Sequence, residues 1–181
     1  MTLIPDAGSV RQKLRDATAE DHRHVDAIYD AFSLDTPAGY RAFLAAHARA
    51  LSALEPLGDP HRRRLPLLRA DMAALDAKWP QPCALQPGDQ DSAGFSWGVR
   101  YALEGSRLGG AMLARRVGQD LPKAYLSASH EQGEWKAFQR ALDSAAMEGG
   151  EGWLDGAVQG ARAAFALFAQ AGNAERMAAH G

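Results

Sequence analysis

Glycine is frequent in a segment whose apolar residues, from Phe95 to Val117, follow helical spacing. Each glycine in a helix interior costs roughly 0.8–1.0 kcal/mol relative to alanine, so the set costs about 4–5 kcal/mol. Either close helix packing compensates, or a bent helix lies over a flat ligand and its freed backbone groups hold water or a diatomic molecule. Gly105 and Gly109, one turn apart, would leave a bare strip of main chain. The glycines, denser than helix packing requires, are Gly94, Gly98, Gly105, Gly109 and Gly110.

Three histidines are candidate ligands for a metal ion. His22 and His24 fall on opposite flanks of the apolar stripe of the first predicted helix, about 80° either side of its centre at 100° per residue. His47 lies on the apolar face of the second predicted helix. A hydrogen-bonded or surface role is commoner than a ligand role for each of them, and the spacing does not choose between them.

Cationic side chains occur in two patterns. Lys136 and Arg140 are four residues apart on one flank of a later helix. Such a pair is normally solvated, but beside a pocket it suits a ligand with paired carboxylates. The run 61–64, His-Arg-Arg-Arg between two prolines, is expected to be a solvated connector, and it could instead attract an acidic electron-donor protein.

Composition excludes several classes of protein. The chain has 181 residues, 46% of them hydrophobic, which suits one domain with a sizeable core. A net charge of −2 does not favour nucleic acid or a membrane as partner, and no apolar run is long enough to cross a bilayer. Cys83 is the single cysteine, so no internal disulfide can form, and we expect a cytoplasmic protein in which Cys83 has a structural role.

The periodicity predicts an all-α, single-domain chain without strands or internal repeats. Loose arms are expected at about 1–8 and 173–181, because Gly172 follows the last periodic residues. Pro37 at a first helical position and prolines in a loop at 80–91 set further boundaries. The predicted helices cover about 9–32, 36–55, a third segment facing the core with Leu68, Met72, Leu75 and Trp79, then 92–117, a helix ending at Gly149, and 151–171.

Three stretches resemble the haem oxygenase family, in family order and with family-like separations. Residues 14–22, Leu-Arg-Asp-Ala-Thr-Ala-Glu-Asp-His, are similar to the opening helix of that family. Residues 103–110, Leu-Glu-Gly-Ser-Arg-Leu-Gly-Gly, look like its distal helix in the bacterial form. Residues 135–140 are similar to the part that supplies cations for the haem propionates. The resemblance covers most of the chain, and it implies haem held between a proximal first helix and a kinked, glycine-rich distal helix.

The resemblance assigns roles to residues. It implies that His22, rather than His24 or His47, is the proximal ligand of the haem iron. Ser106 stands where animal enzymes carry an acidic residue that organises water. The other implied residues are Gly105, Gly109 and Gly110 in the distal helix, and Arg15, Lys136 and Arg140 around the propionates.

The implied activity is that of a bacterial haem oxygenase. Haem would be substrate and cofactor, and O2 with an external electron donor, a ferredoxin or a reductase, would open it to biliverdin, ferrous iron and carbon monoxide. The alternative on the same scaffold is a haem-binding carrier or sensor without catalysis. Two further classes are a helical enzyme of the thiamin-degrading type, which would need Cys83 as nucleophile, and a helical interaction module with a close-packed core that binds no haem.

Overall fold

Helices account for the fold in this computed structural model, which describes residues 7–85 and 92–180. Within those residues there is no strand, so the all-α prediction is confirmed for the described chain. Two short 3-10 helices, Glu55–Leu57 and Pro60–Arg62, connect the second helix to the third. The α-helices are α1 (Ala7–Tyr29), α2 (Pro37–Leu54), α3 (Leu65–Ala74), α4 (Ala93–Ala114), α5 (Ala124–Ser127), α6 (Glu134–Glu148) and α7 (Trp153–His180).

Side-chain caps fix the start of two helices. The Thr36 hydroxyl accepts a hydrogen bond from the backbone N–H of Gly39 at 3.2 Å, and proline occupies the first turn of α2, as predicted. The Ser92 hydroxyl accepts from the N–H of Phe95 at 3.1 Å and begins α4. These starts are local, because each cap satisfies a backbone donor only three residues away.

Helix α7 runs through the centre of the fold, and α1, α2 and α4 pack against it. Contacts between α1 and α7 rise together in residue number: Arg162 donates to the Ala17 carbonyl at 2.9 Å, and Tyr29 donates to the Phe168 carbonyl at 3.0 Å. The Cα of Gly98 lies so close to the backbone of Ala157 that no Cβ would fit. Gly94 lies equally close to the backbone of Trp153, so the contacts between α4 and α7 also rise together in residue number. Both α1 and α4 therefore run parallel to α7.

The expected helix end at Gly172 is wrong, because α7 continues to His180. A Cβ on Gly172 would lie 2.6 Å from Cγ2 of Ile28 and 2.9 Å from the Tyr29 ring. This glycine therefore lets α1 approach α7 and does not close the helix. Beyond it, Glu175 accepts a hydrogen bond from Nε of Arg49 on α2 at 2.5 Å, so the segment expected to be loose is attached to the core.

The other expected arm and the expected loop lie partly outside the described residues. Of the arm at 1–8, residues 1–6 lie outside, and α1 begins at Ala7. Of the loop at 80–91, residues 80–85 are irregular and residues 86–91 lie outside. None of the helices described is both long enough and apolar enough to cross a membrane.

Candidate functional site

The glycines of α4 divide into two groups with different causes. A Cβ on Gly98 would fall on the carbonyl oxygen of Ala157, and one on Gly110 would lie 2.9 Å from the carbonyl oxygen of Leu126. Gly94 is also packed against α7. Added Cβ atoms on Gly105 and Gly109 would meet no heavy atom within 4 Å in the described structure. Helix packing therefore explains the first group, and Gly105 and Gly109 remain unexplained by it.

Around these two glycines α4 presents an open apolar face. Leu108 is 49% exposed and Met112 is 72% exposed. These two residues follow Gly105 and Gly109 by three residues, so all four lie on neighbouring positions of one face. Tyr101, one turn before Gly105, is half-buried at the end of this face. An exposed patch of large apolar side chains beside bare main chain is the kind of surface that a flat apolar ligand would cover.

His22 lies on the outer side of α1 with its imidazole accessible. Its side chain is 60% exposed, and its ring packs edge-on against Phe165 of α7 with ring centroids 5.5 Å apart. The carboxylate of Asp26, one turn later, lies 3.5 Å from Nδ1. A carboxylate beside one ring nitrogen favours the tautomer in which the other nitrogen has a free lone pair. His24 is exposed as well, and no contact of its ring is recorded in the described structure.

Helices α1 and α4 come near each other at Arg15 and Tyr101. Burial raises the pKa of the Tyr101 phenol, and the nearby Arg15 guanidinium partly opposes that rise, so these two side chains are neighbours. From Arg15 to His22 and from Tyr101 to Leu108 are both seven residues, about 10.5 Å at 1.5 Å per residue. Seven residues return to the same helix face. Since both helices run parallel to α7, this equal spacing places His22 and Leu108 at a similar level along α1 and α4, and Phe165 of α7 packs beside His22.

The three predicted propionate cations are exposed on α1 and α6, two helices that pack together. Arg15 lies on α1, and Lys136 and Arg140 lie one turn apart on α6. An ion pair between Arg11 and Asp143, at 3.9 Å, joins α1 to α6. The cations therefore belong to one packed corner of the fold, and their contact with a ligand stays a prediction.

A buried ionic network that sequence reasoning missed lies behind α4. Glu104, 5% exposed, accepts a hydrogen bond from Nε of Arg62 at 2.9 Å and contacts Nε2 of His130 at 2.7 Å. Arg62 also donates to Glu134 at 3.2 Å, in the first turn of α6. The hydrogen bond from the Glu131 N–H and the ion pair with Arg62 lower the pKa of Glu134. The network joins α4, α6 and the segment before α3.

The expectation that residues 61–64 are a solvated connector is wrong for two of the three arginines. Arg62 is held by Glu104 and Glu134, and Arg64 is 5% exposed. The groups that hold these two side chains come from distant positions in the chain: the Glu104 and Glu134 carboxylates for Arg62, and the Ser106 hydroxyl and Leu103 carbonyl for Arg64. Arg63 and His61 are exposed, as expected.

The Ser106 side chain is held by Arg64 and by the backbone of its own helix. Its hydroxyl accepts a hydrogen bond from Arg64 at 2.7 Å and donates to the Leu103 carbonyl at 2.8 Å. Arg64 also donates to that carbonyl at 3.3 Å, and its guanidinium lies 5.2 Å from the centre of the Tyr125 ring. The side chain that stands at the position of the animal enzymes' water-organising acid is therefore tied to a buried arginine.

His47 is a core histidine. Its Nδ1 lies 2.6 Å from the Tyr125 hydroxyl, and aromatic rings surround it. Burial, with a further contribution from Arg64, lowers the pKa of His47 to about 3, so the imidazole is neutral. With Nδ1 engaged inside an aromatic cluster, His47 is a poorer candidate than His22 for an accessible iron ligand.

The described residues form an all-helical protein with an accessible imidazole, His22, on α1 and a strip without side chains, at Gly105 and Gly109, on α4. No model of a protein family matches the chain. A protein named "Heme oxygenase" from Xanthomonas campestris pv. campestris (strain 8004) is 33% identical over 118 residues, which are 61% of this chain and 68% of that relative. The chain belongs to the haem oxygenase family.

Proposed function

We propose that this protein binds haem in the cleft between α1 and α4 and catalyses its opening to biliverdin, ferrous iron and carbon monoxide, using O2 and an external electron donor. The observation that carries the proposal is the pairing of accessible His22 with the bare strip at Gly105 and Gly109, on two helices parallel to α7. The relative named heme oxygenase supports the same conclusion. When bound, haem would supply both the iron that activates O2 and the ring that is oxidised.

On the α1 side, His22 would ligate the iron through Nε2. The Asp26 carboxylate, 3.5 Å from Nδ1, would hold the proton on that nitrogen and increase the basicity of the ligating nitrogen. Phe165 limits rotation of the imidazole by its edge-on contact. His22 needs no buried position in the free protein, because the ring of a bound haem would cover it.

On the α4 side, the structure passes a simple test of fit. A Cβ added to Gly105 or Gly109 would lie in open space, because no other heavy atom of the described chain is within 4 Å of it. Leu108 and Met112 are exposed apolar side chains that a macrocycle would bury. Because the strip carries no side chains, it would leave room for O2 while excluding bulk water when the cleft is filled.

The cations Arg15, Lys136 and Arg140 would bind the two propionates. These ion pairs would fix the orientation of the ring, and so would select which meso carbon is oxidised. All three are exposed in the free protein, so they can turn towards a ligand without breaking a buried contact.

One observation favours the second candidate, a haem carrier or sensor without catalysis. Ser106, which stands at the position of the water-organising acid, has its hydroxyl engaged by Arg64 and the Leu103 carbonyl. A hydroxyl engaged in this way has less capacity to hold a distal water. We favour catalysis, because two glycines bare on the same face provide the room for O2 that a carrier does not need.

Haemin titration tests the binding step. We expect purified protein to give a histidine-ligated Soret spectrum, and the His22→Ala variant to lose it. His24→Ala is the matched control, since it removes an exposed imidazole two residues away on the same helix. Loss of the spectrum in His47→Ala or His24→Ala, but not in His22→Ala, would show that the ligand is assigned wrongly.

Turnover separates the enzyme from the carrier. With ascorbate, or with ferredoxin and its reductase, under air, the Soret band should decay and a biliverdin band should grow. A stable complex with O2 that never yields biliverdin would establish the carrier.

A further inference from the structure

Tyr125 and His47 form a buried pair for which the proposed reaction has no use. The Tyr125 side chain is 1% exposed, and its hydroxyl lies 2.6 Å from Nδ1 of His47. Burial and Arg64 lower the pKa of His47, so the imidazole is neutral, and we assign its proton to Nε2 because Nδ1 then accepts the proton of the buried Tyr125 hydroxyl. The pair is held in place by Asp71, whose carboxylate accepts the backbone N–H of Tyr125 at 2.8 Å.

Tyr125 differs from the neighbouring tyrosines in having a base as its partner. The Tyr29 hydroxyl donates to the backbone carbonyl of Phe168, which cannot take up a proton. The Tyr40 hydroxyl is buried and has no hydrogen-bond partner among the described residues. A tyrosine can lose an electron readily only where its proton can leave at the same time. Of these three phenols, only Tyr125 meets that condition in the described part of the chain.

Aromatic rings of α7 contact both His22 and this pair. The ring centroids of His22 and Phe165 are 5.5 Å apart, and those of Phe168 and His47 are 5.4 Å apart, with Phe165 and Phe168 on the same helix. Tyr29 is two helical turns after His22 on α1, and the centroid of its ring lies 5.1 Å from that of His47. The two ring contacts of α7 are about one helical turn apart, because Phe165 and Phe168 are separated by three residues.

We propose that Tyr125 and His47 form a redox-active pair that removes a one-electron oxidising equivalent from the haem site, an inference that rests on the proposed function. The oxidant is haem oxidised beyond the ferric state by a peroxide. Tyr125 gives up one electron, its O–H bond breaks, and the proton moves to Nδ1 of His47. The products are a neutral tyrosyl radical, an imidazolium and haem reduced by one electron.

Two features of the pair make the step possible and reversible. A phenol that has lost an electron is a far stronger acid than an imidazolium, so the proton moves to His47 despite the low pKa of that residue. Burial and the positive charge of Arg64 disfavour the imidazolium, so the proton returns to Tyr125 when the external electron donor reduces the radical. The pair would protect the protein when O2 is reduced to peroxide without ring opening.

The test is freeze-quench electron paramagnetic resonance of the ferric haem complex mixed with hydrogen peroxide. We expect a neutral tyrosyl signal in the wild type and its loss in Tyr125→Phe. Tyr40→Phe is the matched control, because it removes a buried phenol from the same cluster that has no base beside it, and it should keep the signal. In His47→Gln, which keeps a polar group but removes the base, the tyrosyl yield should fall.

The same variants without haem keep this inference separate from the proposed function. Photogenerated ruthenium(III) tris-bipyridine replaces haem as the one-electron oxidant, and the tyrosyl radical should form at Tyr125 and form more slowly in D2O. If the protein binds no haem but forms this radical, the proposed function is refuted, whereas the redox activity of Tyr125 and His47 is supported. An unchanged signal in Tyr125→Phe, a tryptophan radical in its place in the wild type, or an unchanged yield in folded His47→Gln would overturn the pair.

Discussion

Replacing Gly105 and Gly109 by alanine should make the haem-free protein more stable. Neither added Cβ meets a heavy atom within 4 Å in the described structure, so there is no steric cost. In a helix interior, alanine is favoured over glycine by roughly 0.8–1.0 kcal/mol, because it loses less backbone entropy on folding. The two substitutions together should raise the free energy of unfolding by about 2 kcal/mol, and the Tm by about 4–8 °C for a domain of this size.

The assay is urea unfolding without haem, followed by circular dichroism. Gly98→Ala in the same helix is the matched control, because its Cβ would fall on the Ala157 carbonyl oxygen. Overpacking of that kind costs about 1–3 kcal/mol, so the control should be less stable than the wild type. The same chemical change should therefore have opposite effects at two positions of one helix.

Haem binding completes this prediction. The alanine methyl groups would stand where the macrocycle approaches the main chain, so the Gly105→Ala/Gly109→Ala variant should bind haemin more weakly and form biliverdin more slowly. If the variant is less stable than the wild type, the face of α4 is not open. If the variant is more stable but binds haemin and forms biliverdin as the wild type does, Gly105 and Gly109 do not contact haem.

Two further predictions concern the core. Because the pKa of His47 is lowered to about 3 in the folded protein and is about 6.5 when unfolded, the unfolded state alone takes up the proton between these values. Wild-type stability should therefore fall by about 2 kcal/mol more than that of His47→Gln between pH 7 and pH 5, as measured by urea unfolding; parallel curves would show that His47 is not held neutral. Gly172→Ala should lower the Tm, because its Cβ would lie 2.6 Å from Cγ2 of Ile28; a raised Tm would mean that α1 and α7 are farther apart than described.

The sequence determined where most of the long helices begin, but not where α7 ends. Thr36 with Pro37, and Ser92, begin helices where the pattern predicted them, because a cap and its backbone partner are only three residues apart. The resemblance selected His22 among three histidines. The structure adds Asp26 and Phe165 beside it, and its role as iron ligand stays a prediction.

The tertiary structure determined which contacts each of these glycines and arginines makes. Gly98 and Gly105 are the same residue type in the same helix, but Gly98 faces Ala157 of α7 and Gly105 faces open space in the described structure. Arg63 and Arg64 are adjacent, and only Arg64 is buried, against Ser106 of α4. Local spacing specifies a helix because the interacting groups lie within one turn, whereas the use of each face depends on partners far away in the chain, which only the packed structure brings into contact.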